Sequence, residues 1–209
     1  MDRFRVVPLL AFLLYLGLAF GWRVWVQFRH HGGSGILLFR SGGWRQHLRD
    51  TAFLVLAAAL LLEVVAAARG RVGVAEAVAA RVLGLALVLG GTGLTVSAQL
   101  DLGASWRIGI DQGAQPGLVE TGWYRTCRNP IFLFMLATLA GFVVLIPARG
   151  TALVLVLAYA AIRVQVREEE RYLLRTYGAP YAAYAARVGR FLPGIGRLGL
   201  TATADHGYL

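Results

Sequence analysis

Long apolar runs recur along this chain, and no other feature limits its fold as strongly. Residues 51–68 hold a single charged side chain, Glu63. Runs of similar character occupy residues 6–26, 75–99, 130–146 and 151–166. A helix needs about 20 apolar residues to cross a bilayer core, with a lower limit near 17. In hydrocarbon every backbone polar group must be satisfied within its own segment, which for runs of this length means helices. Composition agrees, since 57% of residues are hydrophobic and 15% charged, where soluble domains are about a quarter charged. The fold expected is all-α, a polytopic membrane bundle of about five transmembrane helices with a cytosolic C-terminal helical segment.

The runs divide the chain. Residues 1–99 form a three-span membrane region, 100–193 a polar loop, a helical hairpin and a polar C-terminal stretch, and 194–209 a tail. Trp22 and Trp25 close the first run, as interfacial tryptophans do. Residues 36–50, with Arg40, Arg45 and Arg49, are too mixed to span and are expected along the interface. Glu63 reads as a helix-end carboxylate near the headgroups. Gly84, Gly90, Gly91 and Gly93 have two readings: close approach of helices, or close approach of backbone to a cofactor. Pro130 suits a helix's first turn, where its absent N–H leaves nothing unsatisfied.

The net charge of +10 is carried wholly by arginine. No basic face with stacking aromatics stands clear of the spans, which argues against nucleic acid. Arginines instead fill the gaps between runs. With five spans, one side receives Arg3, Arg5, Arg69, Arg71 and Arg149, and the other more than twice as many. The positive-inside rule then puts the N-terminus outside and both long loops and the C-terminus in the cytoplasm. The expected setting is an integral protein of a bacterial inner membrane. One cysteine, Cys127, forms no intrachain disulfide, and with His30, His31, His47 and His206 scattered no metal site is expected.

Two polar segments carry chemistry. The first runs Thr121-Gly122-Trp123-Tyr124-Arg125-Thr126-Cys127-Arg128-Asn129-Pro130-Ile131-Phe132, behind a loop with Trp106, Arg107, Asp111 and Glu120. The second runs Glu169-Glu170-Arg171-Tyr172-Leu173-Leu174-Arg175-Thr176-Tyr177-Gly178, followed by Tyr181, Tyr184, Arg187, Arg190 and Pro193. Each is a charged cluster where an apolar run ends. Arginine presents a planar fork to carboxylate or phosphate, and glutamate accepts from amines and hydroxyls. Such clusters either grip a ligand with both kinds of group or anchor the chain to headgroups; three consecutive acids beside an anionic leaflet fit the second reading worst.

These segments resemble the isoprenylcysteine carboxyl methyltransferase family and its phospholipid methyltransferase relatives. The matching residues are Thr121-Gly122, Tyr124-Arg125, Arg128 and Pro130. After the hairpin they are Glu169-Glu170, Leu173, Tyr177-Gly178, Tyr181, Tyr184, Val188, Arg190 and Pro193. The resemblance covers about residues 100–193. Trp123, Asn129 and Phe132 stand where the first family commonly has Pro, His and Tyr. The Asn-Pro form and Gly91-Thr92-Gly93 look like the phospholipid relatives. The resemblance implies an integral membrane methyltransferase using S-adenosylmethionine on an isoprenoid or lipid-like acceptor that enters from the bilayer, with carboxylate O-methylation favoured. It implies cofactor contacts from Arg128, Asn129, Pro130, Glu169, Glu170, Tyr181, Gly91 and Gly93. Arg125 and Tyr124 take the catalytic role and Trp106 the acceptor. Two alternatives remain, an NADPH-dependent membrane sterol or enone reductase and a non-catalytic membrane scaffold; Glu169-Glu170 weighs against the reductase.

Overall fold

A computed structural model describes residues 3–39, 43–108 and 117–199. Arg40, Asp111, the tail from residue 200 and the side chain of His31 lie outside the described residues. Of the described residues 75% are helical, and none lies in a strand. Helix α1 (Val7–Leu16), a π-helical turn (Gly17–Trp22) and α2 (Arg23–His31) follow without a break. Helices α3 (Trp44–Ala68), α4 (Val78–Leu102), α5 (Pro130–Leu145), α6 (Arg149–Tyr177) and α7 (Ala179–Arg187) complete the fold. Four segments are long and apolar enough to cross a membrane: Arg3–His30, Trp44–Ala68, Val78–Ser105 and Arg149–Tyr177. The shorter α5, at about 1.5 Å per residue, falls short of a full hydrocarbon core.

One expectation is corrected here. Residues 44–50 do not form a separate interfacial segment; they are the first two turns of α3. Trp44 and Arg45 are exposed there, while Gln46 and Asp50 turn inward. Their polarity suits a helix end that leaves the apolar layer, so the helix continues where hydropathy does not.

The bundle closes around Phe12, Leu60, Val64, Val88, Phe142 and Leu145, all buried. Phe12 and Phe142 meet edge to face, with ring centroids 5.9 Å apart. Leu10, Leu13, Leu62, Val82, Leu83 and Leu157 point outward, the arrangement of a bundle solvated by lipid. Helices α4 and α5 lie closest. A Cβ on Gly91 would meet the Thr138 backbone N at 2.9 Å, and one on Gly141 the Gly84 carbonyl at 2.8 Å. Small residues at such crossings allow the close packing that associates helices in a membrane. Glu63 packs against Gly150 in the first turn of α6. A carboxylate is favoured there by the helix's N-terminal dipole, so Glu63 faces into the bundle at the start of α6.

One end of the bundle gathers the polar segments. Residues 35–37 pair with Ile108 through Leu37 N–H to Ile108 O at 2.8 Å and Ile108 N–H to Gly35 O at 2.8 Å. The turn Gly122–Arg125 is fastened to α4, where Asp101 accepts from Trp123 N–H at 2.8 Å. Cys127 and Gly189 form a parallel bridge that ties the 121–129 turn to the segment after α7. This is called the loop end below.

Candidate active site

A cavity of about 580 Å³ starts among the loop-end residues and runs between α1, α3, α5 and α6. Its inner part is apolar, walled by Phe12, Leu60, Leu139, Val154 and Ala158. Its outer part is lined by Asn129, Gln165, Glu169, Tyr172, Tyr177 and Tyr181, with Trp106 and Arg107 contributed by the loop after α4. On α6 the lining residues Val154, Ala158, Ile162, Gln165 and Glu169 recur every three or four positions, the period of one helical face. A single stripe of α6 therefore runs from hydrocarbon to polar group.

The two adjacent glutamates do different work. Glu170 is buried and held by two arginines. Arg128 donates to its Oε1 through Nε at 3.0 Å and Nη2 at 2.8 Å. Arg190 donates to Oε2 through Nε at 3.0 Å and Nη2 at 2.6 Å. Arg128 also donates to the carbonyls of Ala185, Val188 and Gly196. All five of its N–H groups thus have protein acceptors. The triad fastens α6 to the 121–129 turn and to the chain after α7. Hydrogen bonding to Glu170 raises the Arg190 pKa, so this cation stays charged at any ordinary pH.

Glu169 faces the cavity and accepts from Gln165 Nε2 at 2.7 Å. Arg107 is its cavity-lining cationic neighbour and makes no ion pair among the described residues. The hydroxyls of Tyr177 and Tyr181 are buried and have no hydrogen-bond partner. A buried hydroxyl without a partner is costly, and both belong to residues lining the same cavity. Burial, reinforced by the charge of Glu169, holds the Tyr124 phenol well above its ordinary pKa. Burial likewise raises Tyr181 and Tyr184. These phenols are donors at neutral pH, not bases. The outer cavity thus offers a carboxylate, a cation and two free hydroxyls to one ligand, over an apolar stem.

The phospholipid methyltransferase family model matches residues 79–180. Over that span the chain is similar to the phospholipid methyltransferase family. The match contains α4, α5, α6 and both glutamates, and no curated relative matches the chain. It leaves out the first two spans, although Phe12, Tyr15, Phe53 and Leu60 wall the stem. The matched part therefore supplies most of the polar end of the cavity, with Tyr181 just beyond it, and much of the stem comes from helices outside the match.

The expected site residues sort by position. Glu169, Glu170, Asn129, Arg128, Tyr181, Tyr124 and Trp106 all border the cavity. Asn129 donates from Nδ2 to Arg190 O at 3.1 Å, which fixes its amide. Four expected residues lie outside the cavity lining. Arg125 is exposed and is not among the cavity-lining residues, because the short helix Gly122–Arg125 directs it outward. Pro130 is buried as the first residue of α5 and stays outside the lining. Gly91 is occupied by its contact with α5, and Gly93 faces open space on the exposed side of α4. Gly84 and Gly91 therefore follow the helix-packing reading, and Gly90 and Gly93 do not. Gln165, Tyr177 and Arg107 as lining residues were not singled out by sequence. Gln165 and Tyr177 lie four before and eight after Glu169, the helical spacing that could have marked them.

Proposed function

We propose that this protein transfers a methyl group from S-adenosylmethionine to a lipophilic acceptor, with a carboxylate as the favoured nucleophile. The supporting observation is one cavity that joins Glu169 and the unpartnered tyrosine hydroxyls to an apolar stem inside the bundle. S-adenosylmethionine, when bound, supplies a methyl group made electrophilic by an attached sulfonium. The donor set fits such a molecule. Glu169 is suited to its amine or ribose hydroxyls and Arg107 to its carboxylate, while Tyr177 and Tyr181 offer hydrogen bonds to its polar edge. Asn129 shapes the same end, and Arg128 with Glu170 holds the frame.

The chain's part in the reaction is placement and exclusion of water. The apolar stem takes the acceptor's tail from the bilayer and leaves its polar head at the loop end. A carboxylate head is already ionised at neutral pH and needs no base. That agrees with a site whose tyrosines remain protonated. An amine head would need to lose a proton, and Glu169 is the carboxylate placed for it. Arginine distribution puts the loop end in the cytoplasm, where the cofactor is.

Calorimetric titration of the purified protein in neutral detergent tests the reading. S-adenosylmethionine is expected to bind wild type saturably and Glu169→Gln at least about tenfold more weakly, a loss of the size expected for a charged hydrogen bond. A folded wild type that ignores S-adenosylmethionine overturns the proposal. Binding of NADPH instead would establish the reductase, and binding of neither the scaffold.

A further inference from the structure

Arg23 is the first residue after the π-helical turn, at the loop end of the first span, and only 1% exposed. Its Nη2 donates to Gly103 O at 2.8 Å and Gln99 O at 3.4 Å, where α4 ends. Its guanidinium lies over the Trp106 ring, 4.6 Å from the centroid. It makes no ion pair among the described residues, and its Nε and Nη1 are buried without partners. Beside it, Gln27 donates to Ala104 O at 3.2 Å and Gln99 to Ala19 O at 3.0 Å, leaving both amide oxygens buried and unpartnered.

The carbonyls at the C-terminus of α4 carry partial negative charge, roughly half an elementary charge for a whole helix. They offset part of a full cation and no more. An ionisable group inside a membrane span is by default a functional feature, because it is expensive to keep there. What Arg23 touches gives its direction. Trp106 and Gln99 are walls of the cavity, as are Ser105 and Arg107. Glu169 lies on α6, and the Asp50 carboxylate is engaged by the Phe39 N–H at 2.9 Å. The Trp106 side of the cavity is therefore backed by a positive charge without a carboxylate partner.

We infer that Arg23 is a specificity-determining residue, whose charge behind Trp106 selects an acceptor with an anionic head group, a carboxylate or a phosphate. The inference rests on the methyltransferase reading for the word acceptor. Selectivity itself is measured without cofactor, so its failure and a failure to bind S-adenosylmethionine are separate results. Arg23 lies outside the family match, so the preference belongs to this chain's own first span.

The test is binding of amphiphiles with one tail and three heads, dodecanoate, dodecanol and dodecyltrimethylammonium, to the full chain in neutral nanodiscs. Wild type is expected to bind dodecanoate about tenfold more tightly than dodecanol and to bind the cation weakest. Arg23→Lys, which keeps the charge, should keep most of that preference. Arg23→Met, which removes it at similar volume, should bring the acid and the alcohol within about twofold while its thermal midpoint holds or rises, since an incompletely paired buried ion is gone. S-adenosylmethionine affinity should match wild type in both variants. Equal binding of acid and alcohol by wild type, or preference for the cation, overturns the inference. A folded Arg23→Met that keeps the acid preference overturns it too, leaving Arg23 as an anchor for the end of α4.

Discussion

Glu169 and Glu170 are neighbours in sequence with opposite fates. Glu170 is a single carboxylate that binds two guanidinium groups inside the protein, so Glu170→Gln should destabilise the fold by about 3–5 kcal/mol, the usual loss when one partner of a buried pair is removed. Glu169 accepts one side-chain hydrogen bond, from Gln165, and Glu169→Gln should leave the thermal midpoint within a degree or two while weakening cofactor binding. Thermal unfolding of both variants, set beside their titrations, checks the contrast. The sequence displays both residues as one motif. It does not say which faces a ligand, because that depends on Arg128 and Arg190 arriving from segments 42 residues before and 20 residues after. Arg107 was readable only as one arginine in a polar loop, since Glu169, its charged neighbour at the cavity, lies far along the chain.

At the level of elements, hydropathy and helical period located all five apolar helices and placed the breaks at 69–73 and 147–150. They misplaced the start of α3, where polar residues continue a helix beyond the apolar layer. The α4–α5 pair was half legible. Its glycines were visible, and the choice between packing and cofactor contact needed the partner helix. Gly91→Leu should force these helices apart, lowering stability by about 1–3 kcal/mol by overpacking, readable as a lower thermal midpoint in detergent. The α7 region carries a second expectation. Tyr124, Tyr181 and Tyr184 hold their protons above the ordinary phenol value of 10.0. Unfolded, these groups ionise near that value. Stability from them is therefore full below about pH 10 and falls as pH rises further, because the unfolded chain releases protons first. The thermal midpoint should drop steeply above that pH, and Tyr181→Phe should soften the drop.

Across the whole molecule, the family part and the first two spans meet at the cavity. Ala158 sits on the shared α6 stripe and is 5% exposed. Ala158→Phe should fill the stem, so that binding of twelve-carbon amphiphiles falls at least tenfold, about 1.4 kcal/mol, while S-adenosylmethionine still binds. Loss of both together would show that stem and polar end are not separate compartments. Sequence alone announced a membrane protein with a polar end. It could not announce a cavity, which is defined by the residues four helices leave uncovered.

The π-helical turn at Gly17–Trp22 makes the first span unusual as an object of mutation. A residue removed from it would restore α-helical winding without turning the downstream half, because a π turn holds one residue more than an α turn. Arg23 and Gln27 would keep facing α4, and Phe12 and Tyr15, upstream, would stay where they are. The same deletion inside α1 would instead rotate everything beyond it by about 100° about the axis and carry Arg23 and Gln27 from α4 toward lipid. The turn thus acts as a buffer in which a lost codon is absorbed.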